Sequence, residues 1–134
     1  MNTGFALLVA GAAILTGIAA APSAPRLWLV TTLLGLGAAM AAAVGVLAGG
    51  AEWIWRSKFL LGGEHLYFRL DALSALFMAL LCVIGGAASL YAREYWADRR
   101  HPRSARSGRL WWNVILLNLS IVLLAANGLH FLIA

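Results

Sequence analysis

Two stretches of this chain, Thr3 to Ala21 and Leu27 to Leu47, contain no charged residue. Each has the length of about 20 largely apolar residues that an α-helix needs to cross the hydrocarbon of a bilayer. Pro22, Pro25 and Arg26 separate them, and Gly49-Gly50 closes the second. A third run extends from Asp71 to Tyr91 with its only charge at the first residue, and a fourth from Leu110 to about Ala126. Only 11% of the residues are charged, against the roughly 25% usual in soluble domains. A water-soluble shell cannot be built from so little polar surface. The expected fold class is therefore all-α: a polytopic transmembrane helix bundle of about four spans plus the start of a fifth, in a single membrane domain covering residues 1–134.

The start of the fifth span is read from Asn127-Gly128, a turn signal, followed by Leu129, Phe131, Leu132 and Ile133. This apolar ending reads as that of the N-terminal piece of something longer. The first run is expected to be retained rather than cleaved, because no Lys or Arg precedes it and a secretory signal carries a basic leading region.

Six of the ten basic residues, Arg93, Arg99, Arg100, Arg103, Arg106 and Arg109, fall in one connection, opposed only by Glu94 and Asp98. Basic residues are retained on the cytoplasmic side, so the Arg-rich loop 93–109 is expected to be cytoplasmic, with Arg26 on the same side. Both termini and the outer loop 49–70 then lie outside, and the location expected is the cell inner (plasma) membrane. The outer loop is nearly balanced in charge and rich in aromatic residues, including Trp53, Trp55, Phe59, Tyr67 and Phe68. Such residues favour the headgroup level, and Gly62-Gly63 between two aromatic-rich runs suggests a β-hairpin. The small residues Gly37, Ala41 and Gly45, and Ala13 with Gly17, are spaced as rows that admit close helix packing.

Residues with chemistry are few. No Lys, Glu or Asp stands at the middle of any span, the usual mark of an ion path. Asp71 suits an N-cap of the third helix and, as the alternative, a proton route. His130, one turn inside the fifth run, is read as a packed residue or a relay group. Asn113, Asn118 and Ser120 suit hydrogen bonds between helices. His65 and His101 have no partners at metal-ligand spacing, and Cys82, the only cysteine, excludes an intrachain disulfide. Gly35-x-Gly37 lacks the remainder of a dinucleotide fingerprint. No catalytic, cofactor-binding or metal residue is expected, and no nucleic-acid partner. The arginines serve first as a topology signal, ahead of contacts with anionic lipid.

From Leu66 to Ala134 the chain resembles the proton-conducting membrane subunits of complex I, hydrogenase-4-type complexes and Mrp antiporters. Phe68-Arg69-Leu70-Asp71-Ala72-Leu73-Ser74-Ala75-Leu76-Phe77 is similar to the opening of the family's third helix, and Ala88-Ser89-Leu90-Tyr91-Ala92-Arg93-Glu94-Tyr95 to its end. Asn118-Leu119-Ser120 and the run from Ala125 to Leu132 resemble the fourth helix and the turn beyond it. The Arg-Glu-Tyr form is most similar to hydrogenase-4 component B. Two departures stand out: Ala126 occupies a usually acidic position, and the family's transport glutamate and buried lysines lie beyond Ala134. The resemblance implies the N-terminal part of a proton-translocating subunit of a hydrogenase or NADH:quinone oxidoreductase complex. Such a part would be non-catalytic, bind no cofactor, and have other membrane subunits and the lipid bilayer as partners. The alternatives are a small stand-alone structural or assembly membrane protein, and a cation/proton antiporter subunit.

Overall fold

A computed structural model describes residues 2–61, 64–95 and 101–126. In chain order it contains α1 (Thr3–Ala20), α2 (Pro25–Gly49), β1 (Trp53–Leu61), β2 (Glu64–Leu70), α3 (Ala72–Tyr95) and α4 (Pro102–Leu124). All four helices are long and apolar enough to cross a membrane. The shortest, with 18 residues, spans ~27 Å at 1.5 Å per residue. The fold is a four-helix transmembrane bundle carrying one hairpin.

Local chemistry sets the helix ends. The Asn2 side chain accepts from the Gly4 N–H at 3.0 Å and caps α1. Pro25 and Pro102 occupy the first turns of α2 and α4, where a missing N–H costs nothing. Gly50 ends α2 at φ 64°, in the left-handed region that disfavours a side chain, and its N–H reaches the Val46 carbonyl. Asp71 starts α3 by accepting the Ser74 N–H at 2.8 Å.

Helix α2 packs between α1 and α3, and α4 lies against α1 and α3. The main core consists largely of small side chains, among them Ala6, Ala10, Ala39, Ala42, Ala43 and Ala75, with Leu36, Val46, Met78, Cys82 and Leu116 between them. Helices meet closely where glycine removes a Cβ. At Gly35 an added Cβ would lie 2.8 Å from Ile14 Cγ1 and 3.1 Å from the Ala10 carbonyl oxygen. Large apolar side chains instead point outward: Leu8 is 74% exposed, Ile84 64% and Leu34 61%. This arrangement, small inside and large outside, suits a bundle whose solvent is lipid.

Expected and observed packing rows differ. Gly17 is buried in the α1 interface, but Gly37, Ala41 and Gly45 lie on the exposed side of α2, and the close approaches are made by Gly17, Gly35 and Gly85. Both α1 and α2 are apolar on every side, so periodicity alone does not mark the inward stripe.

The loop 49–70 forms the expected hairpin. Trp53 pairs with Leu70, Ile54 with Arg69, Trp55 with Phe68 and Arg56 with Tyr67, and the register shifts between Arg56 and Leu60. Trp53, Trp55, Phe68 and Leu70 share one face, with Trp55 stacked on Phe68 at 5.8 Å between centroids. Arg56 and Arg69 alternate onto the other face, where Arg56 lies 4.5 Å from the Tyr67 ring centre. The hairpin is tied to the end of α4 by a Phe68–Ala125 bridge and an Ala126 N–H to Tyr67 carbonyl bond of 3.2 Å.

The Arg-rich connection is shorter than the hydropathy pattern implies. Arg93 belongs to the last turn of α3, and Arg103, Arg106 and Arg109 belong to α4, which begins eight residues ahead of Leu110. Hydropathy registers only the lipid-immersed part of a helix, whereas hydrogen bonding carries the helix on into water until a proline or cap stops it. The expected turn at Asn127-Gly128, the fifth-span start and His130 lie outside the described residues.

Candidate functional site: a buried polar junction

Three helices each turn a helical face toward one point near the α1–α2 turn. Helix α1 and its C-cap bring Ile14, Gly17 and Ala21; α2 brings Trp28 and Thr32; α4 brings Arg109 and Asn113. Each set follows the three- and four-residue spacing that aligns side chains on a helix. Trp28 is 1% exposed, Thr32 and Asn113 0%, and Arg109 4%.

Asn113, the middle residue of α4, organises the junction. Its Oδ1 accepts from Trp28 Nε1 at 3.1 Å, and its Nδ2 donates to Thr32 Oγ1 at 3.0 Å and to the Ile14 carbonyl at 3.3 Å. The partners fix the amide orientation, because an indole N–H can only donate and a carbonyl can only accept. The Thr32 hydroxyl proton goes to the Trp28 carbonyl at 2.7 Å, leaving its oxygen to receive Asn113. Trp28 Nε1 also lies 3.2 Å from the Arg109 carbonyl. Every polar atom of the Asn113 amide thus has a partner, as a site away from water requires.

Arg109 sits one turn before Asn113 and points back to the end of α1. Its Nε donates to the Ala21 carbonyl at 3.1 Å. Ala21 is the C-cap of α1, so the guanidinium meets the negative end of that helix, where a cation is favoured. Around it pack Ala20, Ala21, Trp28 and Ala92, with Ala24, Leu29, Leu110 and Trp112 against them.

Glycine makes room for the amide. A Cβ on Gly17 would overlap Asn113 Nδ2 and lie 3.1 and 3.2 Å from the hydroxyls of Thr31 and Thr32. On the other side of α4, Trp112 Nε1 donates to Ser89 Oγ at 2.8 Å, and that hydroxyl donates to the Gly85 carbonyl at 2.7 Å. Consecutive residues therefore fasten α4 in two directions: Trp112 to α3, and Asn113 to α1 and α2.

The junction consists of an amide, a hydroxyl, an indole and a guanidinium. The donors of Trp28, Thr32 and Asn113 end on protein acceptors. Its chemistry is that of a clasp, which holds three helices in one register.

The residues expected to carry chemistry lie elsewhere. Asp71 is at the opposite end, where Arg69 bonds Glu52 at 2.9 Å and lies 3.6 Å from Asp71 Oδ2. The Ser74 backbone N–H, more than the arginine, holds the Asp71 carboxyl below its ordinary range. Its geometry is that of a helix cap. Among the other polar residues singled out, Ser120 bonds back to the Leu116 carbonyl of its own helix. Among the described residues no group of His, Cys, Asp or Glu is placed to hold a metal ion. Arg109 escaped detection because its sequence neighbours group it with a solvated loop. The partners of Asn113 escaped because Trp28 and Thr32 are 85 and 81 residues distant. A Trp and a Thr four residues apart behind an N1 proline were the one available hint.

Comparison with protein-family models and with curated proteins finds no match to this chain.

Proposed function

We propose that this chain serves as the N-terminal helical part of a proton-translocating membrane subunit in a hydrogenase or NADH:quinone oxidoreductase complex. In that setting it is a packing layer around conducting helices, not the conducting path itself. The observation that carries this reading is the position of the two family-like stretches on one helix. Residues 68–77 run from β2 through the Asp71 cap into α3, and residues 88–95 close α3, with Ser89 buried against Trp112. A helix-opening and a helix-closing motif thus bracket the same span in the expected order.

The buried polar network supports the scaffold role, since its bonds join α4 to α1 and α2. The chain lies in the cell inner (plasma) membrane, with both termini outside and the arginine-bearing ends of α3 and α4 in the cytoplasm. Charge asymmetry supports that orientation. Arg26, Arg93, Arg103, Arg106 and Arg109 gather at one end of the bundle, while the hairpin end carries Arg56, Lys58 and Arg69 against Glu52, Glu64 and Asp71.

Two measurements test the reading. Affinity purification of the tagged chain from its native membrane should bring down redox subunits of a hydrogenase or dehydrogenase. The purified chain in liposomes should show no proton flux above the lipid background. A specific proton current from the chain alone, or recovery of a free bundle without redox partners, would overturn the proposal. Flux that requires a sodium gradient would favour an antiporter instead.

A further inference from the structure

Among the described residues the arginine-bearing end of the bundle carries Arg26, Arg93, Arg103, Arg106 and Arg109. Arg103 and Arg106 are exposed and three residues apart on the first two turns of α4, so they stand one above the other on a single helical face. The first turn of α4 contains no acidic residue and its cap position makes no side-chain hydrogen bond. Carboxylates normally occupy such a turn, where the backbone itself presents positive partial charge. Arg93, on the last turn of α3, and Arg26, on the first turn of α2, are exposed as well.

These segments meet at one place. Ala92, Leu110, Ala24 and Trp28 join the same apolar cluster, so the chain neighbours of Arg93, Arg109 and Arg26 pack together there. Glu94 is the only acidic residue at this end among the described residues. The ion pairs of Arg69 with Glu52 and Asp71 lie at the opposite end. Immediately beyond Arg109 the apolar run of α4 begins, with Trp111 60% exposed. The exposed arginines therefore stand within about two helical turns of the hydrocarbon boundary, the depth of lipid phosphates.

We propose that Arg103 and Arg106, with Arg93 and Arg26 beside them, form a docking surface for the headgroups of anionic phospholipids. Charge complementarity and position identify the partner. Guanidinium groups pair with phosphate oxygens in two-pronged fashion, and juxtamembrane basic clusters attract acidic lipid over a Debye length. The surface is distinct from the polar junction, whose Arg109 faces inward to Ala21. It also holds whether or not the chain belongs to a proton-translocating complex.

The test uses the purified full chain in zwitterionic micelles, titrated with phosphatidylglycerol or phosphatidylcholine and read by native mass spectrometry. Phosphatidylglycerol should be retained in preference to phosphatidylcholine. R103Q/R106Q should weaken that retention on the order of 30-fold, from two surface charges, without changing helical content. R103K/R106K should fall between the native chain and R103Q/R106Q, because lysine keeps the charge but not the two-pronged contact, and R56Q/K58Q at the hairpin end should leave the preference unchanged. Equal retention of the two lipids would overturn the proposal, as would an equal loss in R56Q/K58Q. Displacement of the lipid by inorganic phosphate would assign the surface to free phosphate instead.

Discussion

Replacing Gly17 with alanine and Asn113 with alanine, singly and together, probes the junction directly. Asn113→Ala removes three hydrogen bonds, to Trp28, Thr32 and Ile14. Interhelical bonds in membranes are each worth about 0.6 kcal/mol, with a maximum near 1.7. The former partners keep other bonds: Trp28 with the Arg109 carbonyl, and Thr32 with the Trp28 carbonyl. The expected loss is therefore about 2 kcal/mol, without the added penalty of stranded polar groups. Gly17→Ala places a methyl group where Asn113 Nδ2 stands, which expels the amide but leaves it buried. Its cost should equal or exceed that of Asn113→Ala, about 2–3 kcal/mol. Once Asn113 is alanine the methyl group has room, apart from close contacts with the Thr31 and Thr32 hydroxyls. The double variant should thus be hardly less stable than Asn113→Ala alone, with a coupling of about 2 kcal/mol. Unfolding by SDS titration in mixed micelles, followed by circular dichroism and Trp fluorescence, provides all four stabilities. Additive losses in the double variant would refute the claim that Gly17 exists to seat this amide.

Three further outcomes are expected. Asp71→Asn should cost about 0.5 kcal/mol at neutral pH, because asparagine still caps but lacks the charge that the helix N-terminus favours. Because the folded state holds the Asp71 carboxyl below its ordinary range, that contribution is complete above the ordinary range and fades as pH falls through the lowered value. Thermal unfolding of wild type and variant should therefore converge in acid, and a gap that widened there would contradict the cap. Gly50→Ala forces a side chain into the left-handed region at φ 64° and should cost about 1 kcal/mol, measured by the same SDS titration; an unchanged midpoint would show that α2 ends otherwise. A cysteine at Ser104, exposed on the first turn of α4, should react with a membrane-impermeant maleimide only from the cytoplasmic side, and labelling of intact cells from outside would invert the topology.

The membrane fold is legible in the sequence because lipid imposes a length rule that four largely apolar runs satisfy. The hairpin is legible too, since Gly62-Gly63 lies between runs whose aromatic residues alternate across one sheet face. What stays hidden is azimuth. Helix α1 is apolar all round, so only the observed burial of Ala6, Ala10, Ile14 and Gly17 separates its inner face from the outer one. Arg109 shows a second limit: composition windows average a residue with its neighbours, so an arginine that turns inward reads like the five that precede it in the same stretch. Asp71 was readable because a cap acts within four residues, whereas Trp28 and Asn113 act across the whole bundle. Local chemistry can be read from local sequence, but partnership between distant spans cannot.

The unequal self-sufficiency of Thr32 and Asn113 has a consequence for biogenesis. When α1 and α2 enter the bilayer as a pair, Thr32 can already satisfy its hydroxyl on the Trp28 carbonyl of its own helix. Asn113 has no such local outlet in the observed arrangement; its acceptors and its donor belong to segments made earlier. The last helix of the four therefore arrives with a polar debt that only the preassembled pair can discharge. Docking of α4 therefore satisfies its amide only once α1 and α2 are packed, and an undocked α4 leaves that amide unpaired in lipid.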